Sequence, residues 1–141
     1  VLDCPASDWE LTRYAFTRCH CATVIATYED ISSLRNTAVL LQAVGEQAIP
    51  DERILLIANR VRRGNALTAD DFERVIGRRP DFEIPWDEAV LAAANEGIPL
   101  VMRTAGSPAA RVIQRIADRM LELAHSASQA GAGQGGVSHG G

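Results

Sequence analysis

Three short runs rich in apolar and β-branched residues, 22–27 (ATVIAT), 53–59 (RILLIAN) and 82–85 (FEIP), alternate along this chain with longer stretches whose apolar residues recur at helical spacing. That alternation constrains the fold more than any other feature, because strands separated by helices pair in parallel and need a helix on each crossover. The first two runs are apolar almost throughout rather than at every second position, which suits strands covered on both faces. The chain is therefore expected to fold as α/β, with a mostly parallel sheet between helical layers in a three-layer αβα arrangement.

The helical stretches carry their own punctuation. Residues 8–18 have helical spacing with Asp8 as a cap, and Ser32 or Ser33 is placed to cap a helix whose stripe is Leu34, Ala38, Leu41 and Val44 and which stops at Gly45. Thr68, with Asp70 and Asp71 in the first turn, starts a helix that Gly77 closes. Asp87 caps another that runs to about Asn95 and ends at Gly97, and Ile98 to Met102 is apolar again. Ser107 and Pro108 open the longest pattern, a stripe of Ala109, Val112, Ile113, Ile116, Ala117, Met120, Leu121 and Ala124 expected to cover the sheet. Val1 to Asp3 reads as the end of an apolar strand whose beginning lies before Val1.

Domain organisation follows from length and composition. With 141 residues, 47% of them hydrophobic, one core is the natural expectation. Residues 1–125 form the α/β portion. From Ser126 to Gly141 the chain is mainly Gly, Ala, Ser and Gln, a composition that cannot offset the entropy of ordering, so 126–141 is expected to be a disordered tail.

Charge and composition also exclude functions. A net charge of −4 with dispersed basic residues gives no face for direct nucleic-acid binding. No apolar run approaches the roughly 18 residues that a membrane span requires, so a cytoplasmic protein is expected. All 14 basic residues are arginine, so the lysine that a P-loop sets on the terminal phosphates is absent. The cysteines Cys4, Cys19 and Cys21 are odd in number and read as reduced thiols. The Cys19-His20-Cys21 spacing is too tight for a paired-cysteine metal site, and small, partly buried residues are the simpler account.

In open α/β sheets ligands bind beyond the carboxyl ends of the strands, which singles out Asp3, Thr27 and Asn59 as polar residues ending apolar runs. A carboxylate such as Asp3 can hold the water shell of Mg²⁺, and the amide of Asn59 offers the donor and acceptor that match an adenine edge. The simpler alternatives are a turn cap for Asp3 and a self-satisfied loop residue for Asn59.

Several segments, in order, resemble CpaE-like pilus-assembly proteins of the MinD/ParA superfamily, the deviant Walker A P-loop ATPases: LDCP at 2–5, SSLRNTAVLL at 32–41, ANRVRRGNALTADDFERVIGRRPDFEIPWDEAV at 58–90, NEGIPLV at 95–101 and SPAARVIQRIA at 107–117. The resemblance covers residues 1 to about 124 and implies the carboxy-terminal portion of such an ATPase, with the phosphate-binding loop upstream of Val1. It implies ATP and Mg²⁺ as cofactors, Asp3 as the switch-region aspartate near the Mg²⁺ and attacking water, Asn59 as the residue at the adenine, and Pro85 to Asp87 as the loop over the base. Arg60, in the cluster with Arg62 and Arg63, reads by default as part of a solvated loop, with contact to a phosphate or a dimer partner as the sharper alternative. It further implies an ATP-dependent homodimer that positions pilus or secretion assembly proteins, with peripheral membrane or polar location. The chain departs from the MinD pattern in lacking a glycine after the aspartate of LDCPAS, and TadZ-like relatives include degenerate ATPases, so a non-catalytic localisation module and a ParA- or MinD-type partitioning or division-site ATPase stand as alternatives. The final helix, with Arg111, Arg115 and Arg119 interleaved with Asp118 and Glu122, is read as packed on the sheet rather than lying in a membrane surface.

Overall fold

The computed structural model describes residues 2–4, 9–45 and 50–132. Its elements are α1 (Trp9–Arg18), β1 (Ala22–Thr27), α2 (Ile31–Gly45), β2 (Ile54–Val61), α3 (Ala69–Ile76), β3 (Phe82–Pro85), α4 (Glu88–Glu96), the short α5 (Leu100–Arg103) and α6 (Pro108–Ala132), with a 3-10 turn at Asp51–Arg53. The sheet order is β1-β2-β3, and both pairings are parallel, as the alternating pattern requires.

β2 is the central strand, and its first five residues, Ile54 to Ala58, are all buried. Alternation of side chains assigns them to two faces. Val24 and Ala26 of β1 join Ile54, Leu56 and Ala58 in one core with Leu34 of α2 and Phe72 of α3, and Phe16 of α1 packs against it. On the other face α6 crosses the sheet. Its Arg115 guanidinium lies over Phe82 of β3, and its Met120 sulfur lies 3.5 Å from the Thr23 hydroxyl of β1. Helices thus flank the sheet on both sides, giving the three-layer αβα arrangement. Burying each large aliphatic side chain of β2 stabilises the fold by roughly 1.5–3 kcal/mol relative to exposure.

Local signals place most element ends. Thr68 and Asp71 form a reciprocal capping box at the start of α3, and Gly77 closes that helix at φ +88°. Asp87 caps α4 through Ala89 N–H, and Gly97 ends it at φ +67°.

The structure departs from the sequence reading in four places, and one further expectation, the Asp8 cap of α1, falls outside the described residues. Leu2, Asp3 and Cys4 lie in no strand, Leu2 is 72% exposed, and Val1 is outside the described residues. Three residues without a strand partner among the described residues gain no ladder bonds to hold them in one. Asp30, not Ser32 or Ser33, caps α2, accepting the Ser33 N–H at 2.8 Å, while Ser33 Oγ turns back to accept the Thr27 N–H at 3.1 Å. β2 continues past Asn59 to Val61, because Arg60 takes a left-handed φ of +58° and the ladder resumes with Val61 opposite Pro85. Finally, α6 runs on through Ser126 to Ala132, and residues 133–141 lie outside the described residues. Ala and Gln favour helix enough to extend one already nucleated on the sheet.

Candidate functional site

The carboxyl edge of the sheet gathers the polar strand ends. Thr27 stands opposite Asn59 in the β1–β2 register, and Val61 stands opposite Pro85 in the β2–β3 register. The sheet therefore brings Thr27, Asn59 and Pro85 to one rim, with Asp87 directly beyond. Asp3 is not among them: it is exposed and belongs to no strand.

Asn59 Oδ1 accepts the N–H of Arg60 at 2.9 Å, which supports the left-handed backbone there. Its oxygen is thus engaged with its own chain, and the two amide N–H groups are what a ligand could use. Arg60 reaches Glu29, just beyond β1, at 3.4 Å, and Arg62 reaches the other oxygen of the same carboxylate at 3.9 Å. The Arg62 guanidinium also lies 4.8 Å from the centre of the Trp86 ring. Asn65 Oδ1 fixes the following turn by accepting the Arg62 N–H at 2.9 Å, and the Asn65 amide nitrogen is buried without a partner. Glu29, Arg60, Arg62 and Trp86 therefore tie together the loops after all three strands. Each of these ion pairs is exposed and individually weak.

Asp87 is a junction. Its Oδ1 accepts the Ala89 N–H at 3.0 Å and its Oδ2 accepts the Ala109 N–H at 3.2 Å, so one carboxylate serves the starts of α4 and α6. The Ala109 N–H is the main cause that holds the carboxyl below the usual aspartate range, with the Ser107 hydroxyl and the Ala89 N–H adding to it against a smaller cost of desolvation. Ser107, itself buried, caps α6 by accepting the Ala110 N–H at 3.1 Å. Past Asp87, Val90 and Leu91 in the first turns of α4 are 40% and 55% exposed, leaving an apolar surface beside the rim.

Behind the rim, Tyr28 donates its hydroxyl to Glu83 Oε1 at 2.8 Å, and its buried ring meets Phe72 edge-on with centroids 5.3 Å apart. Burial first, and the Glu83 carboxylate second, push the Tyr28 phenol far above its ordinary value. Sequence reasoning missed the Tyr28–Glu83 pair and the Trp86 platform. The signal available for the first was an acid at alternate position in an otherwise apolar strand.

ATP and Mg²⁺ fit this rim unequally. A base has an amide, a proline and exposed apolar side chains to meet. The phosphates have no lysine in the chain, and among the described residues no group of three or more His, Cys, Asp or Glu side chains is arranged to hold a metal. The cysteines are free thiols, with Cys19 Sγ 3.7 Å from Phe16 O and Cys21 Sγ 3.7 Å from Met120 O. Burial pushes both of these thiols up. Among the described residues no helix is long and apolar enough to cross a membrane.

No protein-family model matches the chain, and no curated protein sequence does. Solved structures do. A ParA family ATPase from Chlorobium tepidum TLS is similar over 64% of this chain and 37% of its own length, at 30% identity and a TM-score of 0.56. The MinD cell division protein of Aquifex aeolicus is similar over 90% of this chain and 50% of its own, at 17% identity and the same TM-score of 0.56. The chain thus spans half or less of the length of these two proteins. The parallel sheet, its flanking helices and these likenesses together establish the α/β fold of the MinD/ParA class of P-loop NTPases.

Proposed function

We propose that this chain is the base-binding portion of a MinD/ParA-like ATPase that uses ATP-dependent homodimerisation to localise pilus or secretion assembly machinery at the membrane or cell pole. The observation that carries the nucleotide part is the rim itself: Asn59 and Pro85 end adjacent parallel strands, with Asp87 and the exposed apolar start of α4 beyond them. The 30% identity to a ParA family ATPase supports it. In this reading Asn59 donates to N1 of adenine, a nitrogen that carries a proton in inosine, Pro85 and Val90 supply apolar surface, and Asp87 shapes the loop without touching the ligand, since both its oxygens serve helix N–H groups. Arg60 is the nearest cation to that amide in sequence. In the same reading Asp3 stands near the Mg²⁺, and the chain itself offers the phosphates no lysine. The pilus assignment rests on the ordered segments from LDCP to SPAARVIQRIA.

The test is calorimetry of the 141-residue chain with adenosine, inosine and Mg-ATP. Adenosine and Mg-ATP are expected to bind with similar, weak affinity, inosine less well, and Asn59→Ala to weaken adenosine by about tenfold, the loss of a directed hydrogen bond. Equal binding of inosine, or no effect of Asn59→Ala, overturns the base-reading role.

A second reading, a non-catalytic localisation module of the same fold, is favoured by the absence of any lysine and by the exposure of Asp3 outside the sheet. It predicts no adenosine binding at all. A ParA-type partitioning ATPase or a MinD-type division-site ATPase would share the adenosine result and differ in what it positions.

A further inference from the structure

The backbone N–H groups at the start of α6 are already used by the protein. Asp87 accepts the Ala109 N–H, Ser107 Oγ accepts the Ala110 N–H, and the Arg111 N–H returns to the Ser107 carbonyl at 3.1 Å, while Pro108 has no N–H. What this end of the helix still offers a ligand is its side chains. Arg111 and Arg115 are exposed and lie one helical turn apart.

These two arginines are held without being neutralised. Arg60 and Arg62 share Glu29, and Arg74, Arg78, Arg79, Arg103 and Arg119 each pair with a carboxylate, whereas among the described residues no carboxylate pairs with Arg111 or Arg115. Arg111 donates to the Gly106 carbonyl, and the Arg115 guanidinium lies 5.6 Å from the centre of the Phe82 ring. A carbonyl takes one of the several donors of a guanidinium and a ring takes its face, so both side chains are oriented and keep charge and N–H groups for an anion.

Both arginines line one cleft of about 420 Å³, built by the ends of β2 and β3 and the first turns of α6. Its apolar wall is Val61, Pro85, Pro108 and Val112, and its one carboxylate, Glu83, already accepts the Tyr28 hydroxyl at 2.8 Å through Oε1. The size falls within the range of small-molecule sites, roughly 300–1,000 Å³. Pro85 is shared with the nucleotide rim, but neither Asn59 nor Val90 lines this cleft.

We infer that the cleft is a second ligand site, for a small organic anion whose phosphate or carboxylate head lies against Arg111 and Arg115 and whose apolar body lies against Val112, Pro85 and Pro108. Guanidiniums on adjacent turns suit the several oxygens of one such head. The apolar wall favours an organic anion over a bare ion, and the charge of Glu83 directs the head toward α6. The site rests on none of the residues that read the base.

The experiment records ¹⁵N–¹H spectra of the 141-residue chain as phenyl phosphate or phenylacetate is added, with inorganic phosphate and benzyl alcohol as head and body alone. The organic anions are expected to bind with dissociation constants on the order of 1 mM at low salt, more weakly as salt rises, and to shift the Arg111, Val112 and Arg115 signals. Binding of only one of the two supports the site and sets its head group. Inorganic phosphate and benzyl alcohol should each bind at least about tenfold more weakly. Arg111→Gln/Arg115→Gln, which an exposed helix face tolerates, should weaken binding at least about tenfold, and its spectrum reports whether it is folded. Arg119→Gln removes a cation one turn further along α6, outside this cleft, and should leave binding unchanged. Binding by neither organic anion, binding that ignores the double variant, inorganic phosphate held as tightly as phenyl phosphate, or shifts confined to other residues overturns the proposal. Competition by adenosine assigns the cleft to the nucleotide rim and overturns it too. Every other readout is taken without adenosine, so it stands whether or not adenosine binds Asn59.

Discussion

The carboxylate of Asp87 joins the starts of α4 and α6, accepting the N–H of Ala89 through Oδ1 and, 22 residues further along the chain from itself, the N–H of Ala109 through Oδ2. A cap that serves one helix is worth about 1 kcal/mol, and this one also fixes how α6 leaves the sheet edge. Asp87→Ala is expected to lower stability by about 1–3 kcal/mol, read from urea midpoints at pH 7. The pH dependence has a definite sign. The folded carboxyl is held below its unfolded value, so its contribution is fully present above the ordinary aspartate range near pH ~4 and is lost as pH falls through the lower, folded value. The stability gap between wild type and Asp87→Ala should therefore close on acidification. A gap that is constant from pH 7 to pH 3 would show that the carboxylate charge plays no part.

Tyr28 supplies the opposite sign. Its phenol is raised by burial and by Glu83, so the neutral form is favoured in the folded state. Stability from this pair is fully present below the unfolded tyrosine value near pH ~10 and is lost as pH rises above it. Absorbance titration at alkaline pH should show Tyr28 ionising only as the fold melts. Tyr28→Phe removes the hydroxyl and leaves Glu83 without its donor, at an expected cost of about 1 kcal/mol. Tyr28→Ala also removes a ring packed on Phe72 and should cost roughly 3–5 kcal/mol, as other buried aromatics do. If the two variants melt alike, the ring is not the main contributor.

Two left-handed positions separate strain from necessity. Gly77 closes α3 at φ +88° with open space where a Cβ would stand, so Gly77→Ala meets no clash and should cost about 1–2 kcal/mol through its backbone alone. Arg60 adopts φ +58° with a side chain present, and its ion pair with Glu29 is exposed. Arg60→Gly should relieve strain and leave stability unchanged or raised by up to about 1 kcal/mol, seen as a higher Tm. A clear fall in Tm would show that the contact with Glu29 outweighs the backbone strain.

Helix ends were legible where the deciding contact is local. Thr68 with Asp71, and Gly77 and Gly97 beyond their helices, act within a turn of the backbone they cap, so residue type at a fixed offset is enough. The same logic misjudged α2, because Ser33, a good cap by type, bonds to Thr27 across the β1 turn and leaves the cap to Asp30. It also misjudged the first residues, where Val1 to Asp3 read as a strand end without any means of asking whether a neighbour strand was in place.

What the sequence determined by itself is the class of fold and the position of nearly every element, since apolar runs, helical spacing and caps are short-range properties of the chain. Tertiary structure alone decided the site. Which strand ends meet depends on the register set by α2 and α3 as they return the chain to the sheet, and that register puts Asn59 beside Thr27 and Pro85 beside Val61. It also joins Tyr28 to Glu83 across 55 residues and lays Arg62 on Trp86. These are distances between residues far apart in the chain, and no local pattern encodes them.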